Sequence, residues 1–185
     1  MSSAIHAGDT GTAADVTMGL RKLYYVRFGF AIVWAGLMVL TASTLTPVST
    51  ALLVIYPLFD VAAAVIDFRS SGTTRPRVPL YTNMALSLLA AIGLAVASDI
   101  PDVLRVWGAW AITAGVVQLI VAILRYRLGG QWAMILSGGI STVAGTGFIL
   151  MAAGAKASVT GIAGYAILGG VFFLISAIRL AVKAK

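Results

Sequence analysis

The chain has 185 residues, of which 60% are hydrophobic and only 10% charged, with a mean hydropathy of +1.00. A soluble domain is closer to half apolar and a quarter charged, so this composition assigns most of the chain to lipid rather than water. There is no Cys and no Glu, one His (His6) and six Asp, which excludes disulfides, thiol nucleophiles and thiolate metal sites and removes most catalytic constellations.

The net charge of +7 does not point to nucleic acid, because the basic residues lie at the ends of apolar runs and not on one polar surface. They read as topology determinants and as contacts to anionic lipid heads. Nothing in the chain calls for a cofactor, and a protein partner is not legible; a homo-oligomer stays open.

Residues 1–22 form a cytoplasmic tail, Ser/Ala/Gly/Thr-rich and expected to be disordered at its start. The stretch "DVTMGLRKL" then fits a short interfacial helix capped by Asp15, or equally an extension of the first span. A cleavable signal peptide fits poorly, since the basic pair comes only at positions 21–22 and the following apolar run is longer than an h-region.

Residues 23–182 read as a membrane domain. Six apolar runs, 24–44, 47–67, 80–98, 103–124, 132–153 and 158–181, each approach the ~20 residues that cross a bilayer. Tight turns ("TLTP", "SDIPD", "AGAKAS") alternate with longer basic connections ("RSSGTTRPRVP", "RYRLGGQW"). The expected fold is therefore all-α: six transmembrane helices as three hairpins, 24–67, 80–124 and 132–181. Eleven of the thirteen Lys and Arg fall at one end, with only Arg105 and Lys156 at the other. By the positive-inside rule both termini are expected in the cytoplasm. Tyr24, Tyr25, Tyr81, Tyr126 and Trp132 fall at the same end, where amphipathic rings suit the headgroup level.

The hairpins also repeat. Tyr56, Trp110 and Tyr165 align the even-numbered spans at steps of 54 and 55 residues, which brings Val61, Gly115 and Gly170 into register and ends the spans near Arg69, Arg125 and Arg179. Three short hairpins, an aromatic and then a Gly in the second helix (Val61 in the first hairpin) and an Arg-containing cytoplasmic exit resemble the HdeD-like acid-resistance membrane proteins, a repeat family of largely unknown function. "GGQWAMILSGGISTVAGTGFILMAAG" is similar to that family's Trp-opened, Gly-rich helix. The resemblance covers about residues 23–182. It implies a bacterial inner-membrane protein linked to envelope or acid stress, and it supplies no substrate.

Within "LLVIYPLFDVAAAVIDF", Asp60 lies seven residues before Asp67, ~10 Å inside the boundary at 1.5 Å per residue. Gln118 falls at similar depth on the fourth span, and Arg27 and Asn83 lie three residues inside the first and third spans, so Arg27, Asp60, Asp67, Asn83, Ser87 and Gln118 are expected to form a polar cluster in the cytoplasmic half of the membrane. Asp60 is expected to meet Gln118 and at least one of Arg27 and Trp34. A mid-bilayer charge costs ~2.5–3.5 kcal/mol on insertion scales, so it should face protein or water. The cluster reads either as a structural lock or as a proton-responsive site. Pro57, one turn before Asp60, reads as a kink that serves packing or lines a cavity. Ser137, Ser141 and Gly145 form a small-residue face for close packing inside the bundle or between copies. Asp99 and Asp102 read as the cap of the fourth span. The favoured function is a non-enzymatic membrane protein of stress tolerance. The alternative is a small transporter or channel for protons or a small solute that uses Asp60.

Overall fold

A computed structural model describes residues 3–41, 44–71, 77–124, 126 and 132–183. Six helices follow one another: α1 (Ser3–Thr41), α2 (Pro47–Ser71), α3 (Arg77–Val96), α4 (Ile100–Leu124), α5 (Trp132–Ala152) and α6 (Thr160–Lys183). Each contains a stretch of at least 20 residues apolar enough to cross a membrane. Large apolar side chains face outward all round, among them Val33, Leu40, Val96, Val143 and Leu150. Such a surface suits hydrocarbon, and the chain is a multi-pass membrane protein.

Two helix starts explain themselves locally. At the head of α2, the Ser49 amide donates to Thr46 Oγ1 (3.2 Å) while the Thr46 amide donates to Ser49 Oγ (2.7 Å), a reciprocal cap followed by Pro47 in the first helical turn. At the head of α4, the Asp102 amide donates to Asp99 Oδ1 at 2.7 Å, and the Asp102 carboxylate accepts from Ser98 Oγ and Arg105. At the N-terminus one helix runs unbroken from Ser3 into the first span, so that "DVTMGLRKL" takes the second of its two readings, an extension of that span, and Asp15 falls inside it. No proline interrupts 3–41, and a helix already nucleated in the first span extends at one hydrogen bond per added residue. The loop residues Arg75, Arg125 and Arg127 lie outside the described residues.

The six helices close into a ring. Among the described residues each helix approaches only its two neighbours in the order α1 to α6, and α6 returns to α1. Closest approach is between α4 and α5, α1 and α6, and α2 and α3; the pairs joined by short turns are looser, α5 and α6 most of all. Each hairpin thus packs mainly on the next hairpin. Burial follows the same logic. Ala31, Trp34, Ala35 and Met38 on α1 and Ser87, Ala90, Ala91 and Leu94 on α3 are buried at a constant step of 56 residues. Leu53, Trp107 and Ile162, at the steps of 54 and 55 read from the sequence, are all fully buried.

Indoles fill the ring. Trp34 and Trp107 stack with centroids 5.6 Å apart, and Tyr56 packs on both, at 4.6 and 5.4 Å. The Trp34 N–H donates to the Leu52 carbonyl at 2.6 Å, in the turn preceding the buried Pro57. Pro57 faces protein, and the indole covers backbone in the stretch that a proline disturbs.

Small residues set the closest seam. A Cβ on Gly115 would stand 2.7 Å from the Gly138 carbonyl oxygen, and one on Gly108 would stand 2.6 Å from that of Gly145. Gly145 and Ser141 therefore face α4 inside the bundle, while Ser137 sits half-buried beside the seam. Gly170 holds the corresponding place on α6, where a Cβ would lie 3.0 Å from that of Ala31 on α1. Gly139 and Gly147 have open space instead. Gly115→Ala and Gly145→Ala should each lower the melting temperature in detergent, by clashes of about 1–3 kcal/mol. Gly139→Ala and Gly147→Ala should hold or raise it, since Ala favours helix by up to ~1 kcal/mol. Equal effects at both pairs of sites would contradict the packing of α4 on α5.

Candidate functional site: a carboxylate shared among helices

Asp60 is on α2, where the backbone has already formed its own helical hydrogen bonds, so the carboxylate must find partners from other helices. It finds three. Arg27 on α1 pairs with Oδ1, and both side chains are largely withdrawn from solvent, at 17% and 13% exposure. Asn83 Nδ2 and Ser87 Oγ on α3 both donate to Oδ2, each at 2.8 Å. Ser87 is fully buried, and its oxygen accepts in turn from the Trp110 indole N–H on α4 at 3.2 Å. The Arg27 guanidinium also lies over the Phe173 ring of α6, 4.2 Å from its centroid. One carboxylate thereby links α1, α2, α3 and, through Ser87, α4; its counter-ion reaches α6.

The residues expected at this level divide. Arg27, Asp60, Asn83 and Ser87 come together. Gln118 does not join them: its amide donates to the Met134 carbonyl on α5 at 3.2 Å. It shares the depth of Asp60 but is carried to the far side of α4, facing α5. Trp34 also binds elsewhere, at Leu52. Asp67, two turns along α2 and half-buried, is ~10 Å from Asp60 along the axis. Trp110 completes the network without having been assigned to it. Its signal was present, since Trp110 is in register with Tyr165, and Tyr165 Oη donates to Ser141 Oγ at 3.0 Å, 54 residues after Ser87. Two hairpins thus hold the same aromatic-to-serine bond.

The chemistry available is that of a tie. Both carboxylate oxygens are engaged, the ion pair is charge-assisted, and the one hydroxyl bonded to Asp60, that of Ser87, is fully buried and already accepts from Trp110. Among the described residues no group of three His, Cys, Asp or Glu is placed to hold a metal ion. Beside the network, the Trp107 indole N–H is buried with no hydrogen-bond partner among the described residues. Compared with known proteins, the chain matches no family model, no curated protein and no solved structure.

Removing one member of a buried ion pair strands the other and costs about 3–5 kcal/mol, whereas losing a single neutral hydrogen bond costs about 1 kcal/mol. Asp60→Leu and Arg27→Met should therefore each lower the melting temperature strongly, and Asn83→Ala and Ser87→Ala only modestly. The double variant Asp60→Leu/Arg27→Met should be more stable than the two single losses add up to, because neither charge is left alone. Strict additivity in that cycle, measured by thermal melts in detergent, would show that the pair does not hold the helices.

Proposed function

We propose that the protein is a non-enzymatic, multi-pass protein of the bacterial inner membrane that contributes to envelope or acid-stress tolerance. Both termini lie in the cytoplasm. The observation that carries the non-catalytic reading is the engagement of Asp60: Arg27, Asn83 and Ser87 use both oxygens to fasten helices. The stacked, buried Trp34 and Trp107 support a filled ring over a solute path. The stress role rests on the resemblance of the repeated hairpins to acid-resistance membrane proteins, and the anionic inner-membrane lipids are partners through the basic ends.

Orientation is tested first. The basic residues crowd the end that carries both termini, leaving Arg105 and Lys156 at the other. The chain has no Cys, so single replacements are clean labelling sites. Ala155→Cys should react with a membrane-impermeant maleimide on intact spheroplasts, and Arg77→Cys only after lysis. The reverse pattern would overturn cytoplasmic termini.

The function is tested by survival of a deletion strain in strong acid. Deletion should reduce survival and the wild-type gene should restore it. Asp60→Asn should restore it in proportion to the amount of folded protein in the membrane. Equal survival with and without the gene would remove the stress reading. An Asp60→Asn protein that accumulates normally yet restores nothing would instead favour a proton-linked transporter.

A further inference from the structure

The three hairpins fill the ring unequally. α1 contributes Trp34; the position in register with it on α3 is Ala90, and on α5 it is Ala144. α4 contributes Trp107 and Trp110, where α2 has Leu53 and Tyr56 and α6 has Ile162 and Tyr165. The α5–α6 hairpin therefore brings no indole to the ring interior; its Trp132 sits exposed at the opposite end. These two helices also approach each other least.

A groove of about 620 Å³, with no basic residue in its lining, opens between α2 and α3; at the same end a smaller open groove of about 310 Å³ lies between α5 and α6, lined by Ile140, Ala144, Gly147, Phe148, Gly164 and Leu168 among others. Its one polar side chain, Tyr165, already donates to Ser141. Gly147 and Gly164 have nothing within 4 Å of where a Cβ would stand, so the walls are bare backbone.

The groove has a definite length. It runs from Ile140 to Met151 on α5, ~16 Å at 1.5 Å per residue, or about half of a ~30 Å hydrocarbon core. It starts at the short-turn end of the bundle and stops near the middle. Beyond that point the Arg179 guanidinium lies 4.8 Å from the Trp132 ring centroid and bridges the same two helices. A transmembrane helix of a second copy would need a face running the full depth. A single acyl chain needs one leaflet. At the mouth of the groove, the turn between α5 and α6 carries the exposed Lys156, one of only two basic residues at that end.

The geometry points to a lipid site: one acyl chain of an anionic phospholipid, in the leaflet on the short-turn side, lies in the α5–α6 groove with its phosphate at Lys156. The chain replaces the ring volume that tryptophan supplies in the other two hairpins. The site goes beyond the stress reading and does not depend on it; it needs only that the helices span a bilayer.

Native mass spectrometry of the detergent-solubilised full chain, titrated with dioleoyl-phosphatidylglycerol or dioleoyl-phosphatidylethanolamine, tests the site. The wild type should retain one phosphatidylglycerol in preference to phosphatidylethanolamine. Gly164→Leu, which fills the groove, should weaken that retention at least tenfold. Lys156→Ala should weaken phosphatidylglycerol about fivefold, the effect of one lysine at an anionic lipid surface, and leave phosphatidylethanolamine unchanged. Wild-type retention by Gly164→Leu would overturn the site, and so would an undiminished phosphatidylglycerol preference in Lys156→Ala. A species of twice the mass that Gly164→Leu splits would assign the groove to a second copy. Should Gly164→Leu fail to fold, Lys156→Ala, altered in an exposed turn, decides the question alone.

Discussion

A carboxylate on a membrane helix must be held by other helices, and the arrangement of this ring follows from that requirement at Asp60. Exposing it to hydrocarbon would cost several kcal/mol, so the helices that bring Arg27, Asn83 and Ser87 to it are fixed in both depth and rotation. Each partner imposes a second constraint. Arg27 must also meet Phe173, which draws α6 back to α1 and closes the ring. Ser87 must also accept from Trp110, which sets the rotation of α4 against α3. Only α5 stands outside this web, joined to α4 through glycine seams and to α6 through Tyr165 and Ser141.

Lipid tails are as apolar as leucine, so burying apolar side chains between membrane helices gains little, and close packing with internal hydrogen bonds must hold them. The ring uses both in different places. Where Gly108 and Gly115 cross Gly145 and Gly138, backbones touch and no side chain is needed. Where helices stand farther apart, indoles span the gap, as with Trp34 between α1 and α2 and Trp110 between α4 and α3. The α5–α6 pair has neither device along its short-turn half, and that is where the groove opens.

Depth was legible in the sequence and rotation was not. Counting residues from the span ends brings Arg27, Asp60, Asn83 and Ser87 within about one helical turn of each other in depth, and there they meet. Gln118 lies at similar depth, but it is eight residues from Trp110, which at 100° per residue turns it about 80° around α4, toward α5. A uniformly apolar helix has no amphipathic stripe from which to read its inward face, so this angle could not be read in advance. The repeat offered a partial substitute, since register with Tyr165 pairs Trp110 with Ser87 as Ser141 pairs with Tyr165. The small-residue face of α5 was legible as a packing surface, whereas its partner Gly108 was not, because a single glycine says nothing of which neighbour it will meet. At the N-terminus, "DVTMGLRKL" allowed either an interfacial helix or an extension of the first span, and α1 takes the extension, because a span that is already helical removes the cost of nucleation.

Stiffness is therefore distributed unevenly around the ring. Five seams carry a close backbone crossing, a buried indole or a limb of the Asp60 network; the sixth, α5 against α6, is held by the Tyr165–Ser141 bond, the Phe148–Tyr165 edge contact at 5.9 Å, the packing of Phe148 on Gly161, and the Arg179–Trp132 stack at its far end. Separating α1 from α2 would strand a charge in hydrocarbon, and separating α4 from α5 would open a backbone contact along two glycine crossings. Parting α5 from α6 at the short turn would break one neutral hydrogen bond and leave the Arg27–Asp60 pair untouched. The weakest boundary of the ring is thus one that carries no limb of the Arg27–Asp60 network.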